Sequence, residues 1–96
     1  MKLEELLSQL IQIKSVNPPG GETEVAKYLK GLFDRAGIPN EIVESAPGRG
    51  SFLAYLGEGS RSLLFLSHTD VVPANPDWDV DPFSGAVRDG VVWGRG

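Results

Sequence analysis

The chain contains no cysteine. That absence excludes disulfides, thiolate nucleophiles and every zinc site built on sulfur, so any metal must be held by imidazole and carboxylate. It has a single histidine, His68, so an imidazole-based site draws on one residue only. No apolar run is long enough to cross a bilayer, and no membrane role is expected. The amino terminus MKLEELLSQL sets Glu4 and Glu5 among its leucines and lacks a small-residue cleavage site, so it does not read as a secretory signal and a cytoplasmic setting is expected. Basic residues are scattered among acids in a chain of net charge −4, which leaves no stripe to grip phosphates and argues against a nucleic-acid partner.

What is present is ordinary for a globular protein: 41% hydrophobic and 23% charged residues, over a length of 96 that fits one small domain with a modest core. Leu3, Leu6, Leu7, Leu10 and Ile11 recur at the spacing of one helical face and predict an amphipathic helix ending near Lys14. The stretch NPPGG at 17–21 breaks it, since proline lacks an amide hydrogen and clashes with the preceding turn. A second helix is expected from near Glu22, with Val25, Ala26, Leu29, Leu32, Phe33 and Ala36 as its apolar stripe and Gly37 as its cap. Glu22 and Glu24 occupy the positive end of that helix dipole, so Gly20 and Gly21 are not a phosphate cradle.

From Asn40 onward the pattern turns to short extended runs. Strands are expected at 41–44, 51–56 and 62–67. The last contains Leu63, Leu64, Phe65 and Leu66 without a polar interruption, the pattern of a strand covered on both faces. An acidic, proline-rich loop follows over 72–84, then a hairpin of 86–88 and 91–93 around the turn pair Asp89 and Gly90. Two helices, a few mixed-sheet strands and a hairpin make a layered α/β arrangement. The abrupt finish at GRG, with no closing element, is that of a fragment.

The chemistry centres on FLSHTDVVP at 65–73. Ser67 and His68 are adjacent and would point to opposite faces of a strand, which excludes a Ser-His-Asp relay. His68 and Asp70 are two apart and would share a face, with Cα atoms about 6.5 Å apart at the rise of an extended chain. At the end of a sheet strand, where open α/β folds build ligand sites, an imidazole can hold a metal while a neighbouring carboxylate orients the ring. The competing reading is a satisfied histidine beside a turn-forming aspartate. Asp77, Asp79 and Asp81 open like a calcium loop, but Pro82 and Arg88 stand where glycine and glutamate are required, so they read as a solvated acidic loop. Trp78, Phe83 and Trp93 read as hydrophobic anchors.

Four segments taken together resemble one family: SVNPPG at 15–20, LSHTDVVP at 66–73, WDVDPFSG at 78–85, and DG followed by WGRG at 89–96. The chain is similar along essentially its whole length to the zinc-dependent amidohydrolases and peptidases that include acetylornithine deacetylase, succinyl-diaminopimelate desuccinylase, aminoacylase and glutamate carboxypeptidase. The resemblance implies that residues 1–96 are the amino-terminal portion of an α/β sandwich catalytic domain of di-zinc exopeptidase type, without the inserted lid and dimerisation domain. It implies that His68 binds one of two zinc ions, with cobalt an alternative, and that Asp70 is the catalytic residue that orients the histidine. It further implies hydrolysis of an N-acyl amino acid or small peptide, a homodimer in the complete protein, and further metal ligands and a general-base glutamate in segments that follow Gly96. A fragment with one imidazole and one orienting carboxylate is expected to be inactive alone. Two alternatives remain open: an aminopeptidase or carboxypeptidase of the same family, and a small non-enzymatic α/β interaction module.

Overall fold

A computed structural model describes all residues from Met1 to Gly96. The elements run α1 (Leu3–Ile11), α2 (Glu22–Arg35), β1 (Asn40–Glu44), β2 (Gly50–Ala54), β3 (Ala86–Arg88) and β4 (Val91–Trp93). They fall into two compact units, one formed by Met1–Gly21 with Asp70–Gly96 and the other by Glu22–Thr69. No helix is long and apolar enough to cross a membrane.

In the unit Glu22–Thr69, α2 packs on an antiparallel pair in which Ile42 faces Phe52 and Glu44 faces Gly50. Side chains alternate along each strand, which turns Ile42 and Phe52 toward the helix and Val43 and Leu53 to solvent. Val25 and Ala26 are the most buried apolar residues of α2, and Phe33 meets Phe52 edge to face at 5.0 Å between ring centres. The helix closes with Ile38 N–H donating to Phe33 O at 2.9 Å and Gly37 N–H to Asp34 O at 3.1 Å, the paired bonds of a glycine cap. At its other end the Arg49 Nε–H donates to both oxygens of Glu22, at 2.8 and 3.1 Å, and Thr23 Oγ–H to Glu44 Oε2 at 2.8 Å.

The strand expected at 62–67 is not formed. The sheets are β1–β2 and β3–β4, each of two antiparallel strands, so the mixed sheet expected from the sequence is absent. Leu63, Leu64, Phe65 and Leu66 are 79%, 78%, 89% and 87% exposed. The physical reason is that an unbroken apolar run specifies burial but not a partner, and a strand exists only where a second backbone supplies its hydrogen bonds.

In the unit formed by Met1–Gly21 and Asp70–Gly96, α1 rests against β3 and β4. Its helix ends at Ile11, a turn earlier than expected, with Gln12 as the cap residue. Ile11 is buried and Leu6 and Leu10 are half-buried, whereas Leu3 and Leu7 remain on the surface at 80% and 46%. The hairpin has the expected bounds: Asp89 and Gly90 both take positive φ, 52° and 75°, as the two-residue turn requires, and Arg88 pairs with Val91. Ser8 Oγ–H donates to Gly85 O at 2.6 Å, and a Cβ at Gly85, whose φ is +63°, would collide with the Ser8 backbone carbonyl. Asp81 organises the turn before it, accepting from Phe83 N–H through Oδ1 at 2.9 Å and from Ser84 N–H through its carbonyl at 3.1 Å. Trp78 lies under the Arg95 guanidinium and Phe83 under the Lys14 ammonium, with cation to ring-centre distances of 5.3 and 5.4 Å. Trp93 is 45% exposed and anchors less than the sequence suggested.

Candidate functional site

The site residues named from the sequence fall on either side of the division between the compact units. His68 lies at the end of the exposed segment that follows Leu66 and is itself exposed, as is Thr69. It is not at the end of a sheet strand, because the strand on which that placement rested is not formed. Asp70 opens the returning segment of the other unit and is half-buried.

What surrounds Asp70 is built by the loop after α1. Residues 16–20 form a turn closed by Gly20 N–H donating to Val16 O at 2.7 Å. The backbone just before that turn runs beside the chain that follows Asp70: Val71 N–H donates to Ser15 O at 3.0 Å, Asn17 N–H to Val71 O at 2.8 Å, and Val16 pairs with Val71 as an isolated parallel bridge. Ser15 is buried at 3%. Asn17 then adds a side-chain bond, its Nδ2–H donating at 3.0 Å to Oδ2 of Asp70, which lies 53 positions further along the sequence. An ionised carboxylate only accepts, so the asparagine group facing it is the NH₂.

Asn17 therefore joins the site as a residue to which sequence reasoning gave no role. In the sequence it stands in the helix-breaking stretch NPPGG and in the segment SVNPPG. No local spacing could reveal a contact of this separation; the only hint was that SVNPPG and LSHTDVVP occur together.

The donor set of this chain does not make a metal site by itself. Nowhere do three His, Asp or Glu side chains cluster so as to hold an ion, and catalytic zinc needs about three protein ligands with one open position. An open concavity of about 220 Å³, lined by Asp79, Val80, Arg88, Asp89, Val91 and Trp93, lies against the hairpin and includes neither His68 nor Asp70.

The class suggested by the motifs is borne out by sequence comparison. No family model matches the chain, but it is related along nearly its whole length to proteins described as succinyl-diaminopimelate desuccinylases. It is 37% identical over 94 residues to a probable succinyl-diaminopimelate desuccinylase of Staphylococcus aureus (strain MRSA252), covering 96% of this chain and 23% of that protein. It is 36% identical over 93 residues to the corresponding Staphylococcus epidermidis protein (strain ATCC 12228), covering 95% and 22%. It is 34% identical over 104 residues to the succinyl-diaminopimelate desuccinylase of the Wolbachia of Brugia malayi, covering 100% and 25%. The chain is thus a homologue of the succinyl-diaminopimelate desuccinylases and spans about a quarter of their length.

Proposed function

We propose that this chain is the amino-terminal portion of the catalytic domain of a metal-dependent amidohydrolase that cleaves the amide bond of an N-acyl amino acid, of desuccinylase type. The observation that carries the reading is the homology over 96% of the chain, a span that includes His68 and Asp70. The exposed run Leu63, Leu64, Phe65 and Leu66 also favours it over a self-contained interaction module, because four consecutive uncovered apolar side chains are costly in a finished surface. In this reading His68 supplies one donor to a di-zinc centre, cobalt being an alternative, and the other donors and the general base come from residues outside these 96. Asp70 is the catalytic carboxylate that orients His68. A homodimer and an N-acylated amino acid or small peptide as substrate belong to the same reading.

The test is direct. The full-length protein carrying these residues should release succinate from an N-succinyl amino acid, and a panel of N-acetyl amino acids and dipeptides separates desuccinylase from deacetylase and peptidase. His68→Ala should lower the bound-metal stoichiometry by one and abolish nearly all turnover. Asp70→Ala should weaken metal binding by about 10 to 100-fold, the scale of losing a carboxylate that orients a ligand. Unchanged stoichiometry in His68→Ala rejects the assignment of the histidine, and a full-length protein inert toward the whole panel rejects the function.

A further inference from the structure

Asp70 is held from a distance, and the way it is held has a direction. Two backbone hydrogen bonds fix the 15–17 segment against Val71, from Val71 N–H to Ser15 O and from Asn17 N–H to Val71 O, and together they make the parallel bridge between Val16 and Val71. With its own backbone pinned next to that of Val71, the Asn17 side chain has only two torsions to settle, and its amide reaches Asp70 Oδ2 at 3.0 Å. Free carboxylates rotate and present either oxygen; a fixed donor on Oδ2 selects one rotamer and so one direction for the group as a whole. The bond is partly buried, where a charge-assisted contact is screened less than at an open surface.

We infer that Asn17 is the positioning residue for Asp70, setting the carboxylate rotamer in which that aspartate acts. The inference rests on the reading of Asp70 as a site residue and adds to it the group that aims it. Asn17 acts through Asp70 and not on substrate, so its loss lowers the rate of the reaction without weakening substrate binding.

The informative variant is Asn17→Leu, which nearly keeps the volume of the side chain and removes the donor without adding a charge beside Asp70. In the full-length protein it should lower kcat by about 10 to 100-fold, the range for a lost hydrogen bond to a charged group, with KM and the unfolding midpoint near those of the parent. Asn17→Gln retains a donor on a longer arm and should keep more of kcat than Asn17→Leu. An independent readout needs no turnover: with selective ¹⁵N-asparagine labelling, the Asn17 side-chain NH₂ resonances should move when Asp70 is changed to alanine. Parental kcat in Asn17→Leu, equal losses in the Gln and Leu variants, or NH₂ resonances indifferent to Asp70→Ala would each overturn the inference. If Asn17→Leu does not fold, Asn17→Ala meets the same kcat criterion. Full turnover in Asp70→Ala sinks the underlying reading instead, and the NMR result then still reports whether the contact exists.

Discussion

Replacing Arg49 by methionine tests how the start of α2 is secured. The Arg49 Nε–H donates to both Glu22 oxygens, at 2.8 and 3.1 Å, and the Glu22 side chain keeps only 10% of its exposure while Arg49 keeps 39%. Removing one partner of a fully buried pair costs about 3–5 kcal/mol, because a carboxylate is left desolvated and uncompensated. Two features reduce that figure. Arg49 is more than a third exposed, so water can reach part of the vacated space, and Glu22 stands in the first turn of α2, where the helix dipole continues to favour its charge. The expected loss for Arg49→Met is therefore about 2 kcal/mol, near the value of one charged hydrogen bond, or a fall of roughly 8–16 °C in Tm for a unit of this size. Glu22→Gln keeps the shape and removes the charge, and should cost about 1 kcal/mol. The double variant should cost less than the sum of the two, with a coupling of about 1 kcal/mol. Urea unfolding of the four proteins at unchanged m measures this. Lys27→Met is the control: its partner Glu24 is 68% exposed and Lys27 is 62% exposed, so the change should stay within about 0.5 kcal/mol. A cost for Arg49→Met as small as that of the control, or a coupling of zero, refutes the argument from burial.

Gly85→Ala combines a left-handed φ, costing about 1–2 kcal/mol for a side chain, with a collision against the Ser8 carbonyl that displaces the Ser8 Oγ to Gly85 O bond; a destabilisation of at least about 2 kcal/mol is expected by thermal unfolding, and a parental Tm contradicts it. The Asp34 carboxyl is held below the usual carboxylate range, first by the hydrogen bond from Asn40 Nδ2 at 2.8 Å, which outweighs the opposing effect of desolvation, and to a lesser extent by Lys30. Because the Asn40 bond outweighs the desolvation that opposes it, with Lys30 adding a lesser effect, the folded pKa is lowered, so its contribution to stability is present above the unfolded value of about 4 and is lost as pH falls through the folded one. Asn40→Ala should raise the Asp34 midpoint in a ¹³C-carboxyl titration, and an unmoved midpoint assigns the depression elsewhere. The 96-residue chain purified alone should show no metal-dependent hydrolysis of N-acyl amino acids; measurable turnover refutes the reading of its site as incomplete.

Both helices, the first two strands and the hairpin were legible because each is specified locally. The 3.6-residue recurrence of Val25, Leu29, Leu32 and Phe33, the Gly37 cap and the Asp89–Gly90 turn act over a few residues, and the structure places each where that chemistry puts it. β1 and β2 each begin one residue before the expected bounds, and β2 stops at Ala54, with Tyr55 N–H adding one bond to Pro39 O. Two things were not legible. The exposure of Leu3 and Leu7 follows from the narrow contact α1 makes through Leu6, Leu10 and Ile11, which periodicity alone does not measure. The Asn17 to Asp70 contact depends on how the loop after α1 returns beside Val71, a long-range fact that no window of sequence carries.

The run at 63–66 is where local and long-range specification part company. Burying a Leu or Phe side chain is worth about 1.5–3 kcal/mol, so four of them at 78–89% exposure leave roughly 6–12 kcal/mol unrealised, as much as the whole net stability of a typical domain. A strand over 63–66 would need a neighbouring backbone, and neither two-stranded sheet of this chain supplies one. Under the function proposed above, that neighbour belongs to the three quarters of the desuccinylases' length that this chain does not span. On that proposal, the backbone that would gain ladder partners at 63–66 is the backbone that leads directly into His68. The segment that contacts Asp70, Ser15 to Asn17, is in place within this chain, so the direction of that carboxylate does not depend on the run at 63–66 being covered.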